Sequence, residues 1–173
     1  GKQVVYLWYY RMINYQLRLI KVGSQNPVVL YSCSKDDYLT PGLWFSNGEK
    51  IIAQIYNSAS RIWKLVSINT SSKEIEVIKE MGPRAYLNVN LALSPDEKYI
   101  AYDFPNQQDN GMRNINLLRL DTRNESKLIE HPSNDLLIGW LPGRNELLFT
   151  SDRHGTIDLW AISTESGKSG EVP

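Results

Sequence analysis

A short turn-forming segment occurs three times in this chain at a nearly constant interval. An apolar residue precedes each copy and an apolar run follows it, and the copies are Ser46–Lys50, Ser94–Lys98 and Leu141–Asn145. They contain Asn-Gly, Pro-Asp and Pro-Gly, which supply the backbone conformations that a tight turn between antiparallel strands needs. The copies start about 47 to 48 residues apart. Repeats of this length built from short strands are typical of β-propeller blades.

Further strands fill each repeat after the hairpin. A third strand is predicted at 61–68, 113–120 and 156–162, and its apolar and polar residues largely alternate in the first two copies. A fourth strand, at 74–79 and 126–130, is more highly charged, which suits the exposed edge of a sheet. We therefore predict an all-β chain, a partial β-propeller of about three to four blades of four-stranded antiparallel sheet.

The positions of these strands set the predicted blade boundaries. Residues 1–37 form an incomplete first blade of three strands, and residues 38–83 and 84–131 form complete blades. Residues 132–173 form a blade that lacks its last strand, because 163–170 is rich in serine and glycine and is interpreted as a linker. These blades are too few to close a ring, so we expect the rest of the propeller in a larger parent chain.

The composition limits the classes of partner. The 173 residues carry 19 basic and 19 acidic side chains, so no net charge attracts the chain to nucleic acid or to an anionic membrane. No apolar run approaches the length of about 20 residues that a membrane span needs. We therefore expect no nucleic-acid partner and no direct membrane insertion. Cys33 is the only cysteine, so the chain can form no internal disulfide.

The sequence lacks recognisable motifs for catalysis and for metal or cofactor binding. It has no Gly-x-Ser-x-Gly motif for a nucleophilic serine, so no catalytic residue is assigned and enzymatic activity stays an open question. The two histidines, His131 and His154, lie in different repeats, and Cys33 has no partner at zinc-binding spacing. The sequence therefore predicts no metal site and no cofactor.

Two stretches of the chain resemble a known family of repeats. Residues 91–102 read LALSPDEKYIAY, and residues 147–162 read LLFTSDRHGTIDLWAI. The Ser94-Pro95-Asp96 turn and the Asp158-Leu159-Trp160 strand are similar to the TolB-like (Trp-Asp-type) β-propeller repeat, although Glu97 stands where that repeat has glycine. The resemblance implies a propeller used for protein binding. It also implies a location outside the bacterial cytoplasm, in the periplasm or envelope.

The tryptophans are interpreted as residues that make the fold rather than bind a ligand. A tryptophan or phenylalanine beside each hairpin is expected to wedge between neighbouring blades, where a ring buries roughly 150 to 250 Å². This interpretation applies to Trp44, Trp63, Trp140 and Trp160.

Loops at one end of the blades are the candidate binding site. The loops from second to third strand, and from fourth strand to the next blade, are expected to share one face of a propeller. Tyrosine and arginine among polar neighbours are favoured at protein contacts. The candidate partner-binding residues in these loops are Arg61, Tyr86, Asp109, Asn134, Arg153 and His154.

The sequence leaves more than one function open. The first is a non-catalytic interaction module, a scaffold that binds a protein or peptide partner through these loops. The second is a propeller segment of a prolyl-oligopeptidase-type serine hydrolase whose catalytic domain lies outside this chain. A third, a sensor attached to a transmembrane signalling protein, would need an apolar span of about 20 residues upstream.

Overall fold

A computed structural model describes residues 2–11, 14–82, 89–105, 111–164 and 169–171 of the chain. These residues form fifteen β-strands and contain no helix, as the alternating sequence pattern predicts. The chain divides into two compact units, Gly1–Leu87 and Asn88–Pro173, which we call unit 1 and unit 2. Each unit is built from two antiparallel sheets.

Unit 1 contains a three-stranded and a four-stranded sheet, and in each the strands lie side by side in chain order. The strands of the first sheet are β1 (Gln3–Tyr10), β2 (Asn14–Lys21) and β3 (Val28–Ser32). Those of the second sheet are β4 (Tyr38–Trp44), β5 (Lys50–Asn57), β6 (Ile62–Asn69) and β7 (Ile75–Gly82).

One apolar cluster joins the two sheets of unit 1. Ile51, Ala53 and Ile55 occupy alternate positions of β5, so their side chains point to one face of the sheet. Leu17 and Leu19 do the same on β2 and belong to the same buried cluster. Burial of apolar surface contributes about 25 cal/mol per Å², so this cluster stabilises the contact between the two sheets.

Unit 2 contains two four-stranded antiparallel sheets. The strands of one are β8 (Leu91–Leu93), β9 (Tyr99–Pro105), β10 (Arg113–Arg119) and β11 (Glu125–Ile129). Those of the other are β12 (Leu136–Trp140), β13 (Glu146–Ser151), β14 (Asp158–Ser163) and β15 (Ser169–Glu171). A second apolar cluster joins these sheets, with Phe149 and Leu147 of β13 completely buried in it.

The short strand β15 corrects the prediction that the last blade lacks a fourth strand. Three residues, Ser169–Glu171, pair with β14 in an antiparallel register that sets Trp160 opposite Glu171. Serine and glycine have low strand propensity, which is why the segment reads as a linker in the sequence. Pairing with the edge of β14 supplies the backbone hydrogen bonds that the local sequence does not encode.

The three repeated turns are hairpin turns with a shared hydrogen-bond pattern. An amide at the start of each turn donates to the carbonyl five residues later, from Phe45 to Lys50 over 3.1 Å, from Ser94 to Tyr99 over 2.8 Å, and from Leu141 to Glu146 over 2.8 Å. The periodic sequence signal is therefore a repeated backbone structure.

The Ser94-Pro95-Asp96 turn has a polar network of its own. The buried Ser94 hydroxyl donates to Asp96 Oδ1 over 2.6 Å and accepts from the amides of Lys98 at 3.1 Å and Tyr99 at 2.9 Å. The hydroxyl and amide hydrogen bonds hold the pKa of the Asp96 carboxyl below its usual value. The side chains of Ser94 and Asp96 therefore stabilise the turn through these hydrogen bonds.

Three of the four tryptophans singled out in the sequence pack where neighbouring sheets meet within a unit, whereas Trp63 belongs to neither apolar cluster. In unit 1, Trp44 at the end of β4 packs against the apolar cluster. In unit 2, the Trp140 indole Nε1 of β12 donates to the carbonyl oxygen of Ala92 on β8 over 3.2 Å, so the ring bridges two sheets. Trp160 is buried in the same cluster.

Candidate functional site

Each unit has a set of loops at the end of its sheets opposite the repeated hairpin turns. In unit 1 these are the loops from β1 to β2, from β3 to β4 and from β5 to β6, whose described residues are Arg11, 33–37 and 58–61. We call them the loop end of unit 1. The loop end of unit 2 comprises the corresponding residues 111–112, 130–135 and 152–157.

Five aromatic rings form a continuous row beside the loop end of unit 1. Strand pairing sets Tyr9 opposite Tyr15, and Tyr56 opposite both Tyr38 and Trp63. The centroid distances along the row are 6.0 Å for Tyr9 to Tyr15, 5.3 Å for Tyr15 to Tyr38, 6.2 Å for Tyr38 to Tyr56 and 5.2 Å for Tyr56 to Trp63. All four pairs are tilted, within the range in which aromatic rings attract. We call these residues the aromatic row.

Part of the aromatic row faces solvent. Tyr9 is 56% exposed and Tyr38 is 46% exposed, whereas the other three rings are partly buried. Arg11 and Arg61, two residues beyond each end of the row, are exposed and have positive φ angles of 52° and 57°. Neither forms an ion pair with a residue that the structure describes.

Asp37 holds the loop end of unit 1 together. This carboxylate is buried, and it accepts hydrogen bonds from the Ser58 amide at 2.7 Å, the Ser58 hydroxyl at 3.0 Å and Asn57 Nδ2 at 3.2 Å. Burial, and the nearby Asp37 charge, raise the pKa of the Cys33 thiol to about 12. Cys33 is therefore a protonated, unreactive thiol at neutral pH.

An ion pair forms the centre of the loop end of unit 2. Arg153 Nη2 donates to Asp135 Oδ1 over 2.9 Å, and the side chains are 12% and 0% exposed. The Arg153 guanidinium also stacks on Trp160, 4.6 Å from the ring centroid, and Nε donates to the Ser151 hydroxyl over 2.9 Å. These contacts give Arg153 a structural role.

The other predicted site residues lie in three different settings. Asn134 belongs to the loop end of unit 2, where Oδ1 accepts from the Arg113 amide over 3.2 Å and its amide donates to Asp152 over 2.9 Å. His154 is exposed, and its ring lies edge-on to Trp160 at 4.9 Å. Arg61 lies in unit 1, whereas Tyr86 and Asp109 lie outside the described residues. Partner binding by all six stays a prediction.

Asp103 is a buried charge that the sequence analysis did not single out. Its carboxylate accepts from Asn90 Nδ2 at 2.6 Å, from the Asn90 amide at 3.1 Å and from the Leu137 amide at 3.1 Å, and it pairs with the Arg113 guanidinium. The contact with Leu137 ties one sheet of unit 2 to the other. An aspartate inside the apolar run Tyr99–Pro105 is unusual for a strand, and that signal could have identified it.

In the part of the chain that the structure describes, no group of three histidine, cysteine, aspartate or glutamate side chains could hold a metal ion. The same residues form no helix with the length and hydrophobicity that crossing a membrane requires.

Repeated hairpins in antiparallel sheets of three or four strands define the class of this chain as a β-propeller fragment. No family model matches the chain, and no curated protein matches it. Among solved structures, TolB from Acinetobacter baumannii is similar over 98% of this chain and 41% of that protein, with a TM-score of 0.71 and 19% identity. The fold is thus the TolB-like β-propeller, which confirms the predicted fold class and the resemblance at the level of fold.

Enzymes also share this fold. Oligogalacturonate lyase from Vibrio parahaemolyticus is similar over 95% of this chain and 47% of that protein, with a TM-score of 0.67 and 14% identity. Prolyl oligopeptidase B from Galerina marginata is similar over 99% of this chain and 25% of that protein, with a TM-score of 0.67 and 11% identity. The chain spans less than half the length of each of the three proteins.

Proposed function

We propose that this chain is a non-catalytic β-propeller interaction module, part of a larger protein, that binds a protein or peptide partner through its loop ends. The observation that carries the proposal is the loop end of unit 1. There, half-exposed tyrosines and exposed arginines without a described acidic partner lie on a well-packed double sheet. Tyrosine and arginine on a rigid support are the side chains that contribute most to protein contacts.

The proposed contact residues include all six that were predicted from the sequence. They are Arg61 in unit 1, Asn134, Arg153 and His154 in unit 2, and Tyr86 and Asp109, and we add Tyr9 and Tyr38 of the aromatic row. His154 and Arg61 are exposed and available to a partner. A periplasmic or envelope location is part of the same proposal and rests on the resemblance to TolB-like repeats.

Selection from a random peptide library on the immobilised chain tests this function. Enriched peptides are then titrated against the wild-type chain, a Tyr38→Ala variant and a Lys21→Gln variant. Lys21 is exposed and lines a groove of about 720 Å³ at the hairpin end of unit 1, so it is the matched control. We expect Tyr38→Ala to weaken binding by about tenfold or more and Lys21→Gln to leave it unchanged. Failure to enrich any peptide, or enrichment of peptides that need only Lys21, would contradict the proposal.

The alternative is that the chain is a propeller segment of a prolyl-oligopeptidase-type hydrolase, and the likeness to prolyl oligopeptidase B is the observation that favours it. Catalysis would then require a serine of a separate domain, with a histidine and an aspartate to activate it. Treatment of the parent polypeptide with a fluorophosphonate probe distinguishes the two. Covalent labelling that is lost on serine-to-alanine substitution in a Gly-x-Ser-x-Gly motif would favour the hydrolase.

A further inference from the structure

The groove of about 720 Å³ at the hairpin end of unit 1 lies between the two sheets of that unit. Strand pairing sets Gln3 opposite Lys21, and both residues continue the face of the first sheet that carries Leu19 into the apolar cluster. The facing wall consists of Trp44 and the turn residues 45–48. The groove is therefore the open end of the space that the apolar cluster fills. We call it the lysine groove.

The first wall of the lysine groove carries two ammonium groups and a carboxamide without partners. Lys2 and Lys21 are exposed, and neither forms an ion pair with a described residue. The Gln3 side chain is partly buried and makes no hydrogen bond within the same residues. The described lining includes no acidic residue, and Glu49 in the adjoining turn accepts a hydrogen bond from Asn47 Nδ2 over 3.0 Å. The groove is therefore positively charged and has free hydrogen-bond donors.

Unit 2 has a groove in the same place without the positive charge. It measures about 430 Å³, and its described lining includes the Asp96 carboxylate but no basic side chain. Arg119 ends β10 as Lys21 ends β2, but the arginine pairs with Asp121 over 2.8 Å and is not among the described lining residues. The fold forms such a groove with or without lysines, so the charge of the lysine groove is not a requirement of the fold.

We propose that the lysine groove binds a small aromatic carboxylate, with its rings against Trp44 and Phe45 and its carboxylate between Lys2 and Lys21. The volume lies in the range of about 300 to 1,000 Å³ that is typical of small-molecule sites. Trp44 and Phe45 are partly buried and line the wall that faces the lysines, so a flat apolar ring packs on them. The two ammonium groups and the Gln3 amide donate hydrogen bonds to the carboxylate.

The turn in the lysine groove favours a carboxylate over a phosphate. Phosphate sites commonly use free backbone amides or the planar fork of an arginine. The amides of Phe45, Gly48 and Glu49 already donate to acceptors within the turn. No arginine is among the described lining residues. The groove therefore offers point charges and one carboxamide, which suit a single carboxylate.

NMR titration of naphthoate into the ¹⁵N-labelled whole chain tests this proposal, with the Trp44 indole and Gly48 amide signals as reporters. We expect a Kd below about 1 mM, with the largest shifts at these signals and at Lys21. Naphthamide keeps the rings without the charge, and acetate keeps the charge without the rings. Each should bind at least about fivefold more weakly than naphthoate, because each lacks one half of the contacts.

Lysine variants test the charge directly. Lys21→Gln should weaken naphthoate binding by about threefold or more, and the double variant with Lys2→Gln by about tenfold or more, with larger effects at low salt. Both lysines are exposed, so the variants are expected to fold. Lys50→Gln is the matched control, because Lys50 is exposed at the same end of the sheet, on the face opposite Ile51, and does not line the groove. It should change binding by less than about twofold.

Several results would overturn the proposal. One is equal affinity of naphthoate for the wild type and the double lysine variant, and another is equal affinity of the wild type for naphthoate and naphthamide. Shifts at Trp140 in the unit 2 groove as large as those at Trp44 would show that the lysines do not select the ligand. Tighter binding of inorganic phosphate at the same signals would show that the ligand class is wrong.

The lysine groove and the loop end of unit 1 are separate sites that two variants distinguish. Tyr38→Ala should leave naphthoate binding unchanged, whereas Lys21→Gln should leave peptide binding at the loop end unchanged. Loss of naphthoate binding in Tyr38→Ala would contradict the assignment to the groove. Failure of peptide binding alone would contradict only the proposed function.

Discussion

Arg153 and Asp135 form an ion pair in which the carboxylate is completely buried. Arg153 Nη2 donates to Asp135 Oδ1 over 2.9 Å, whereas Asp135 Oδ2 has no hydrogen-bond partner among the described residues. The sequence predicts Arg153 as a partner-binding loop residue, but its side chain is largely buried and its guanidinium lies over the Trp160 ring. Removing the arginine would therefore leave an uncompensated buried charge.

We predict that Arg153→Ala destabilises the chain by about 3 to 5 kcal/mol, the usual cost of breaking one side of a buried ion pair. Urea unfolding followed by tryptophan fluorescence measures the change. Replacing both partners, as Asp135→Asn with Arg153→Met, should recover part of the loss because no charge is then buried. An Arg153→Ala midpoint equal to that of the wild type would show that the pair has no structural role.

Glu97 and Gly48 are corresponding residues of two hairpin turns, and both have left-handed backbone angles. The φ angle is +57° at Glu97 and +72° at Gly48. We predict that Glu97→Gly stabilises the chain by about 0.5 to 1 kcal/mol, because glycine adopts this conformation without steric cost. Gly48→Ala should destabilise by about 1 kcal/mol through φ alone, since the nearest atom to a new Cβ is Gln3 Oε1 at 3.8 Å. Thermal unfolding should give shifts of opposite sign, and shifts of the same sign would refute this explanation.

The Cys33 thiol should be inert in the folded chain. Burial and the Asp37 charge raise its pKa from 9.0 to about 12, so the folded state binds the thiol proton more tightly than the unfolded state. The stability that this contributes is complete below about pH 8.5 and is lost as the pH rises towards 12.

Alkylation by iodoacetamide at about pH 8.5 measures this difference, because only the thiolate reacts. We expect the folded chain to react at least tenfold more slowly than the chain in urea. Cys33→Ser should lose less stability than the wild type between about pH 9 and 12. Equal alkylation rates in the two states would rule out the raised pKa.

Tyr38 and Trp44 lie at opposite ends of β4 and should separate binding from stability. Trp44 packs against the apolar cluster of unit 1, so Trp44→Ala is expected to cost about 2 to 4 kcal/mol of unfolding free energy. Tyr38 is half exposed, and Tyr38→Ala should cost only about 1 kcal/mol, mainly from its ring contacts with Tyr15 and Tyr56. Calorimetry on both variants provides the test. A larger loss for Tyr38→Ala would make the aromatic row a fold element.

The hairpins were predictable from sequence because their signals are local. Ser94-Pro95-Asp96 specifies its turn through hydrogen bonds between near neighbours, and the repeat spacing then places the remaining strands. Strand β15 was missed because its pairing with β14, rather than its Ser-Gly sequence, makes it a strand. The blade boundaries at 37, 83 and 131 stay predictions.

The candidate site was less predictable, because its contacts join residues that are distant in sequence. Asp135 lies 18 positions before Arg153, and no motif marks the pair. The aromatic row takes its rings from β1, β2, β4, β5 and β6. The usable signal was the position of Tyr9, Tyr38 and Tyr56 at the ends of strands beside the loops.

Amide NMR mapping shows whether a peptide partner binds at the loop end of unit 1. A library-selected peptide is titrated into the ¹⁵N-labelled chain, and chemical-shift changes are followed at both ends of the sheets. We expect the largest changes at the loop end, at Arg11, Asp36 and 58–61, and small changes at the hairpin turn 45–49. Changes concentrated at 45–49 and Lys21, with the loop end unaffected, would contradict this expectation.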